Sequence, residues 1–184
     1  MRRALRVHPD FSRGPVTRIE VDFQRTPAGR LAISYELTGR TEALRIPAAS
    51  PPGRADGLWR RTCFEAFLAV GDGAGYLEFN LSPSSQWAAY RFSGYREGMQ
   101  PLDGLLTPRI EFASTAEGLV LKAALDLAAL SDIAGADAWR LGLSAVIEDE
   151  FGRIAYWALA HPPGKPDFHH ADGFACLVRA PEAP

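Results

Sequence analysis

Two glutamates stand in strand-like runs whose other residues are mostly apolar. In residues 62–70, two-residue alternation puts Cys63, Glu65, Phe67 and Ala69 on one face, with Phe64, Ala66, Leu68 and Val70 on the other. Tyr76–Leu81 alternates Tyr76, Glu78 and Asn80 against Leu77, Phe79 and Leu81. Gly71-Asp72-Gly73-Ala74-Gly75 reads as the hairpin between them, so Glu65, Glu78 and Asn80 meet on one concave face. Arg91, in the next run (residues 87–92), is expected beside them. Carboxylates with a carboxamide are groups that hydrogen-bond sugar hydroxyls, and Trp87, Tyr90 and Tyr95 supply flat amphipathic surfaces. A solvated sheet face is the other reading of the same pattern.

The second cluster is the loop at residues 161–173, which holds His161, Lys165, Asp167, His169 and His170 within ten residues. Its three histidines, with Asp167, are of the right types to chelate a metal, although their spacing matches no established ligand motif. Hydrogen bonding to backbone or to a bound ligand is the alternative. Lys165 is notable because arginine fills almost every other basic position.

Motifs for catalysis are sparse. There is no Gly-x-Ser-x-Gly elbow, no phosphate-binding glycine loop and no dinucleotide fingerprint. Glu65 and Glu78 have the chemistry of a glycosidase acid and nucleophile, and Cys63 with a distant histidine that of a nucleophile pair. Cys63 lies in a buried-looking strand, which argues against the second.

The elements that must position these groups are strands. Residues 17–24 put Ile19, Val21 and Phe23 on one face, and residues 31–38 repeat the pattern with Leu31, Ile33, Tyr35 and Leu37 across the turn Thr26-Pro27-Ala28-Gly29. Further strands are expected at 43–46, 63–70, 76–81, 87–92, 109–113, 119–127, 140–148, 154–160 and 174–178. One short helix is expected at 126–133, capped by Asp126, with Pro/Gly-rich loops at 47–58 and 161–173 and a frayed tail at 180–184. Trp139 and Trp157 fall among apolar neighbours and read as core. The expected fold is a single-domain, all-β antiparallel sandwich of about ten strands.

Composition bounds the partners. The chain has 184 residues, 47% hydrophobic and 23% charged, with a formal net charge of -2. That balance excludes disorder as a global description and gives no footprint for nucleic acid or an anionic membrane. No apolar run approaches the roughly 20 residues of a membrane span, and the basic N-terminus lacks the apolar stretch of a secretory signal. Two cysteines, Cys63 and Cys176, lie in apolar runs and read as buried thiols of a cytoplasmic protein. A monomer or weak homodimer is expected.

The central block resembles the DOMON-like superfamily, which includes family 9 carbohydrate-binding modules. The resemblance is carried by Trp59, Phe64-Glu65-Ala66-Phe67-Leu68 and Tyr76-Leu77-Glu78-Phe79-Asn80. Residues 59–67, the Ser82-Pro83-Ser84 turn, residues 87–99 and the histidine loop are similar to bacterial stand-alone DOMON-like proteins. The resemblance implies a non-catalytic β-sandwich binding sugar or haem. Arg61-Thr62 stands where sugar-binding members often carry an acidic pair, so no calcium site is carried over. For haem, Met99 with one of His161, His169 or His170 would be the axial pair. The function read from the chain is therefore binding of a small carbohydrate-like ligand, with no cofactor. The expected contacts are Trp59, Glu65, Glu78, Asn80, Trp87, Tyr90, Arg91, His161, Lys165, Asp167, His169 and His170. A metal-assisted or carboxylate-pair hydrolase and a haem-binding domain are the alternatives.

Overall fold

A computed structural model describes residues 1–181. The first part of the chain forms β1 (Arg2–Ala4), β2 (Arg6–Val7), β3 (Val16–Arg25), β4 (Arg30–Gly39), β5 (Gly53–Arg54), β6 (Cys63–Val70) and β7 (Tyr76–Leu81). There follow β8 (Gln86–Phe92), β9 (Gln100–Pro101), β10 (Arg109–Thr115), β11 (Gly118–Asp126), α1 (Ser131–Ala134), β12 (Ala138–Glu148), β13 (Ile154–Ala158) and β14 (Cys176–Arg179). Among the described residues, ten of the strands are four residues or longer.

They form two sheets. The first has five strands in the order β1-β3-β4-β11-β10. The second has nine, ordered β2-β13-β12-β6-β7-β8-β5, with β14 also on β12 and β9 on β8. Pairing is antiparallel except for the two-residue β5, which runs parallel to β8. This is the all-β antiparallel sandwich that the alternation implies, with its one short helix.

The first sheet follows its pattern simply. Ile19, Val21 and Phe23 of β3 and Leu31, Ile33, Tyr35 and Leu37 of β4 point into the core, and the intervening polar residues face solvent. On that outer face Arg2 binds Glu20, Asp22 and Glu36, pairs that solvent screens and that add little to stability.

The second sheet is buried on both faces, which explains why β6 and β7 read as almost continuous apolar runs. Phe64, Ala66, Leu68, Leu77, Phe79 and Leu81 share the main core with the first sheet. The opposite face carries a second apolar cluster of Phe67, Ala69, Tyr76, Ala88, Tyr90 and Phe92. Leu58, Phe168 and Phe174, from connecting segments, pack over it. Trp139 and Trp157 lie in the main core, 0% and 2% exposed.

Several local expectations are corrected. Residues 43–46 are not a strand: Thr41–Ala43 is a 3-10 turn, and only an isolated bridge ties Leu44 to Asp149. The helix is shorter than 126–133, because Asp126 ends β11 and its carboxylate accepts from Ala128 N–H in the following turn. The loops at 47–58 and 161–173 contain β5 and a 3-10 turn at Ala171–Gly173. Strands β1 and β2 near the N-terminus have too few residues for alternation to register. The expected frayed tail begins with a tethered residue, since Ala180 N–H donates to the Asp137 carbonyl at 2.7 Å. Residues 182–184 of that tail lie outside the described residues.

Candidate functional site

The outer face of the second sheet forms the floor of a cleft. β6 and β7 pair with Glu65 opposite Asn80 and Phe67 opposite Glu78, so the two acids are diagonal neighbours on one face. β8 adds Tyr90 opposite Glu78 and Phe92 opposite Tyr76. The cleft encloses about 350 Å³ above Glu65, Glu78, Tyr90 and Phe92. Val146 and Tyr156 border it from β12 and β13, Pro166, Phe168 and His169 from the histidine loop, and Trp59, Arg96 and Met99 from the remaining connections.

Both acids are withdrawn from water. Glu65 is 3% exposed, and its Oε1 has no hydrogen-bond partner. Burial pushes its carboxyl well above the ordinary range, and the neighbouring Glu78 adds to the shift. Glu78 accepts from Asn80 Nδ2 at 2.6 Å through Oε1, while Oε2 lies 3.8 Å from His169 Nε2. Burial raises the Glu78 carboxyl too, against the opposing pull of Asn80 and Arg96.

A hydrogen-bond chain fixes the roof. The Tyr76 hydroxyl accepts from Arg96 N–H at 3.2 Å and lies 2.8 Å from His169 Nδ1. With Arg96 N–H already donating to its oxygen, the hydroxyl is placed to donate its proton to Nδ1, the tautomer that sets Nε2–H toward Glu78. Arg96 adopts the left-handed region, φ 56, in the loop after β8. Its guanidinium binds Asp167 at 2.8 Å, and Asp167 also accepts from Tyr95 OH and from His169 N–H. Despite burial, Tyr95 and Arg96 hold the Asp167 carboxyl below its usual range.

Burial, helped by Arg96, lowers His169 from 6.5 to about 4. An unfolded histidine takes up a proton in that interval and the folded one does not, so stability falls as pH drops from 6.5 toward 4. His169→Asn removes this dependence. Urea unfolding at stepped pH should show wild type losing on the order of 2 kcal/mol more than the variant between neutral pH and pH 4. Parallel curves would contradict the burial argument.

Of the residues singled out from sequence, Trp59, Glu65, Glu78, Tyr90 and His169 border the cleft. Trp59 is 38% exposed, its ring edge-on to Tyr90 at 6.3 Å. Asn80 lies beneath, fully buried against Glu78, and Asp167 reaches the cleft only through Arg96 and His169.

Other placements are corrected. Trp87 and Arg91 are on the opposite face of β8: Trp87 is buried in the main core under Arg54, and Arg91 binds Asp132 at 2.8 Å. The two-residue period forces this once Tyr90 and Phe92 face the cleft. His161 turns to the Arg6 carbonyl and packs on His8, and His170 Nδ1 accepts from Asp172 N–H. Lys165 borders an adjoining hollow with Asp10 and Phe11, walled off by Tyr156 and Pro166, which line both. The three loop histidines thus serve three different partners, and among the described residues no group of three or more His, Cys, Asp or Glu converges on a metal position. Met99 and His169, two residues of the haem alternative, both border the cleft, but ligating iron would cost His169 its contact to Tyr76 or Glu78. Burial pushes the Cys63 thiol up, away from nucleophilic reactivity.

Arg96, Tyr156, Phe168 and Pro166 were not legible as site residues. Each sits next in sequence to a residue of more obvious meaning; the loop path orients Arg96, Pro166 and Phe168, and the pairing of β13 with β12 orients Tyr156. Another hollow, about 400 Å³, lies on the outer face of the first sheet beside Asp22 and Lys122. None of the buried, unpartnered polar atoms among the described residues lines it, in contrast to the cleft.

The chain is thus a two-sheet β-sandwich whose second sheet bears a roofed, aromatic-walled cleft. Solved structures share this architecture. A Bacteroides uniformis protein proposed to bind carbohydrate superposes with a TM-score of 0.67 at 14% identity, covering 94% of this chain and 83% of that one. A family 9 carbohydrate-binding module from Caldicellulosiruptor kristjanssonii, in complex with cellotriose, superposes with a TM-score of 0.51 at 10% identity, covering 89% and 74%. At these identities the likeness establishes the fold, that of a family 9 carbohydrate-binding-module-like sandwich. No protein-family model and no curated protein matches the sequence.

Proposed function

We infer that this chain binds a small polar ligand, a carbohydrate or sugar derivative, in the cleft over Glu65 and Glu78, without catalysis. The observation that carries the reading is Glu65, a buried acid that borders an aromatic-walled cavity and whose Oε1 has no partner. Leaving such a group unpaired costs about 1–3 kcal/mol, which a ligand donor would offset. The cavity volume, about 350 Å³, falls in the small-ligand range. Trp59, Tyr90, Tyr156 and Phe168 offer the apolar surfaces that a sugar ring stacks on. The carbohydrate-binding descriptions of the two structural neighbours agree with this reading, and the Glu65 and Glu78 motifs favour membership of the DOMON-like superfamily.

Binding is favoured over hydrolysis because burial moves both acids in the same direction. A glycosidase needs one carboxyl protonated and the other ionised. Two buried thiols, Cys63 and Cys176, favour a reducing, cytoplasmic setting.

Calorimetry and thermal-shift measurements against neutral sugars, amino sugars, sugar acids and sugar phosphates test the proposal. A ligand is expected to raise the melting temperature, and Trp59→Ala is expected to weaken it by roughly 10-fold or more. Failure of every ligand to bind would overturn the reading, as would unchanged affinity in both Trp59→Ala and Glu78→Gln.

A further inference from the structure

We propose that the ligand of this cleft carries a positively charged amine, and that Glu65 and Glu78 receive the ammonium group inside the aromatic walls. The proposal rests on the binding role of the cleft and names the chemical class of what enters it.

The argument begins with the charges that face the cavity. Glu65 comes from β6 and Glu78 from β7, and each is at least nine-tenths buried. Arg96 is the one cationic side chain bordering the cleft among the described residues, and its guanidinium is already held by Asp167. His169 borders the cleft as a neutral ring, its Nδ1 occupied by Tyr76. The remaining titratable groups there, Tyr90 and Tyr156, are phenols; Tyr90 donates to Asp56 at 2.6 Å. The two buried acids therefore share the floor with no cation bonded to either: Arg96 draws both carboxyls down from a distance, but its guanidinium is paired to Asp167.

Neutral sugars do not relieve that imbalance. A hydroxyl donates to a carboxyl oxygen but brings no charge to set against an ionised carboxylate. An ammonium group supplies three N–H donors and one positive charge at once. The walls suit the same group, because Trp59, Tyr90, Phe92, Tyr156 and Phe168 border the cavity, and aromatic rings attract a desolvated cation. A ligand carboxylate or phosphate would meet two acids and only a neutralised arginine. The ligand that fits is a ring with hydroxyls for stacking and hydrogen bonding and one protonated amine, as in a hexosamine.

Binding also has a proton signature. Burial raises the carboxyls of Glu65 and Glu78, and an entering ammonium draws them back down, so complex formation releases protons at a pH where either acid is still protonated in the free cleft.

Calorimetry with glucosamine, N-acetylglucosamine, glucose, glucuronate, ethanolamine and spermidine, each in two buffers of different ionisation enthalpy, tests this. Glucosamine is expected to bind at least about 10-fold more tightly than glucose or N-acetylglucosamine, with proton release. Glu65→Gln and, separately, Glu78→Gln are expected to narrow that gap and reduce the release. Equal affinity for glucosamine and glucose, or preference for glucuronate, would overturn the amine while leaving sugar binding intact. Binding of ethanolamine or spermidine with no sugar bound would keep the ammonium site and overturn the sugar reading. Silence from every ligand would overturn both.

Discussion

Glu65→Leu is expected to make the protein more stable and unable to hold its ligand. Glu65 is 3% exposed, Oε1 has no partner, and the side chain is flanked on its strand by Phe64 and Ala66. A leucine of similar volume removes an unsatisfied buried acid and replaces it with apolar surface. Removing a buried acceptor that has no partner gains about 1–3 kcal/mol, or roughly 2–4 °C of melting temperature per kcal/mol at this chain length.

The gain depends on pH in a defined direction. The folded carboxyl titrates above its ordinary value, so between that value and the raised one the folded state holds a proton that the unfolded state has lost. Wild-type stability therefore falls as pH rises through the window beginning at about 4.3, and Glu65→Leu escapes that fall. Thermal melts from pH 4 to 8 should show a gap that widens with pH. A lowered melting temperature, or a gap constant with pH, would count against this account. Stability given up at Glu65 in wild type is what the proposed binding role would require of it.

Trp139→Ala is expected to have the largest destabilising effect. Trp139 lies on β12, opposite Val70 of β6 and Val178 of β14, and is 0% exposed. Its indole N–H donates to the Ile133 carbonyl at 2.8 Å. The Arg25 guanidinium stacks 4.1 Å from the ring centroid and donates to the Ala134 and Ala136 carbonyls at 2.9 and 2.7 Å. One ring thus fills the core, pins α1 and covers a nearly buried cation. Truncation leaves a cavity and strips the guanidinium of its partner surface, at a cost of about 3–5 kcal/mol. Against the 5–15 kcal/mol typical of a domain, that loss shifts a urea midpoint strongly. Trp139→Phe keeps a ring but loses the N–H, and is expected to cost about 1–3 kcal/mol. A shift below about 1 kcal/mol for Trp139→Ala would show that the site collapses without strain.

Much of the sandwich was legible because strands write their two-residue period into the sequence. Residues 17–24 and 31–38 alternate apolar and polar types, and β3 and β4 bury those apolar residues. The shared face of Glu65 and Glu78 was readable on the same ground, since two alternating strands joined by a glycine-rich hairpin can place both acids on one side. Trp87 and Arg91 show where that logic stops. They were expected beside the acids, and their own strand alternates as it should, but which face they occupy depends on pairing parity. Leu81 opposite Trp87 is set by the tight turn between them, where Ser82 N–H donates to the Gln86 carbonyl and Ser85 takes φ 75. One residue more in that turn would exchange Trp87 and Arg91 with Tyr90 and Phe92.

The histidine loop marks the same boundary. Composition located His161, Lys165, Asp167, His169 and His170, but nothing periodic orients a loop, so their convergence could not be read. Folded, the loop sends His169 over Glu78, gives Asp167 to Arg96, and turns His161 and His170 elsewhere. The sequence alone determined that strands dominate, which side chains form the core, and that two glutamates share a face within an apolar sheet. Backbone periodicity and hydrophobic burial are local rules that a sequence carries openly. Only the tertiary structure decided which face of β8 joined them, that Arg96 and the aromatic walls closed the cleft, and that Glu65 was left without a partner. Those outcomes depend on turn geometry and long-range packing, where one residue of register or one loop rotamer changes which groups meet.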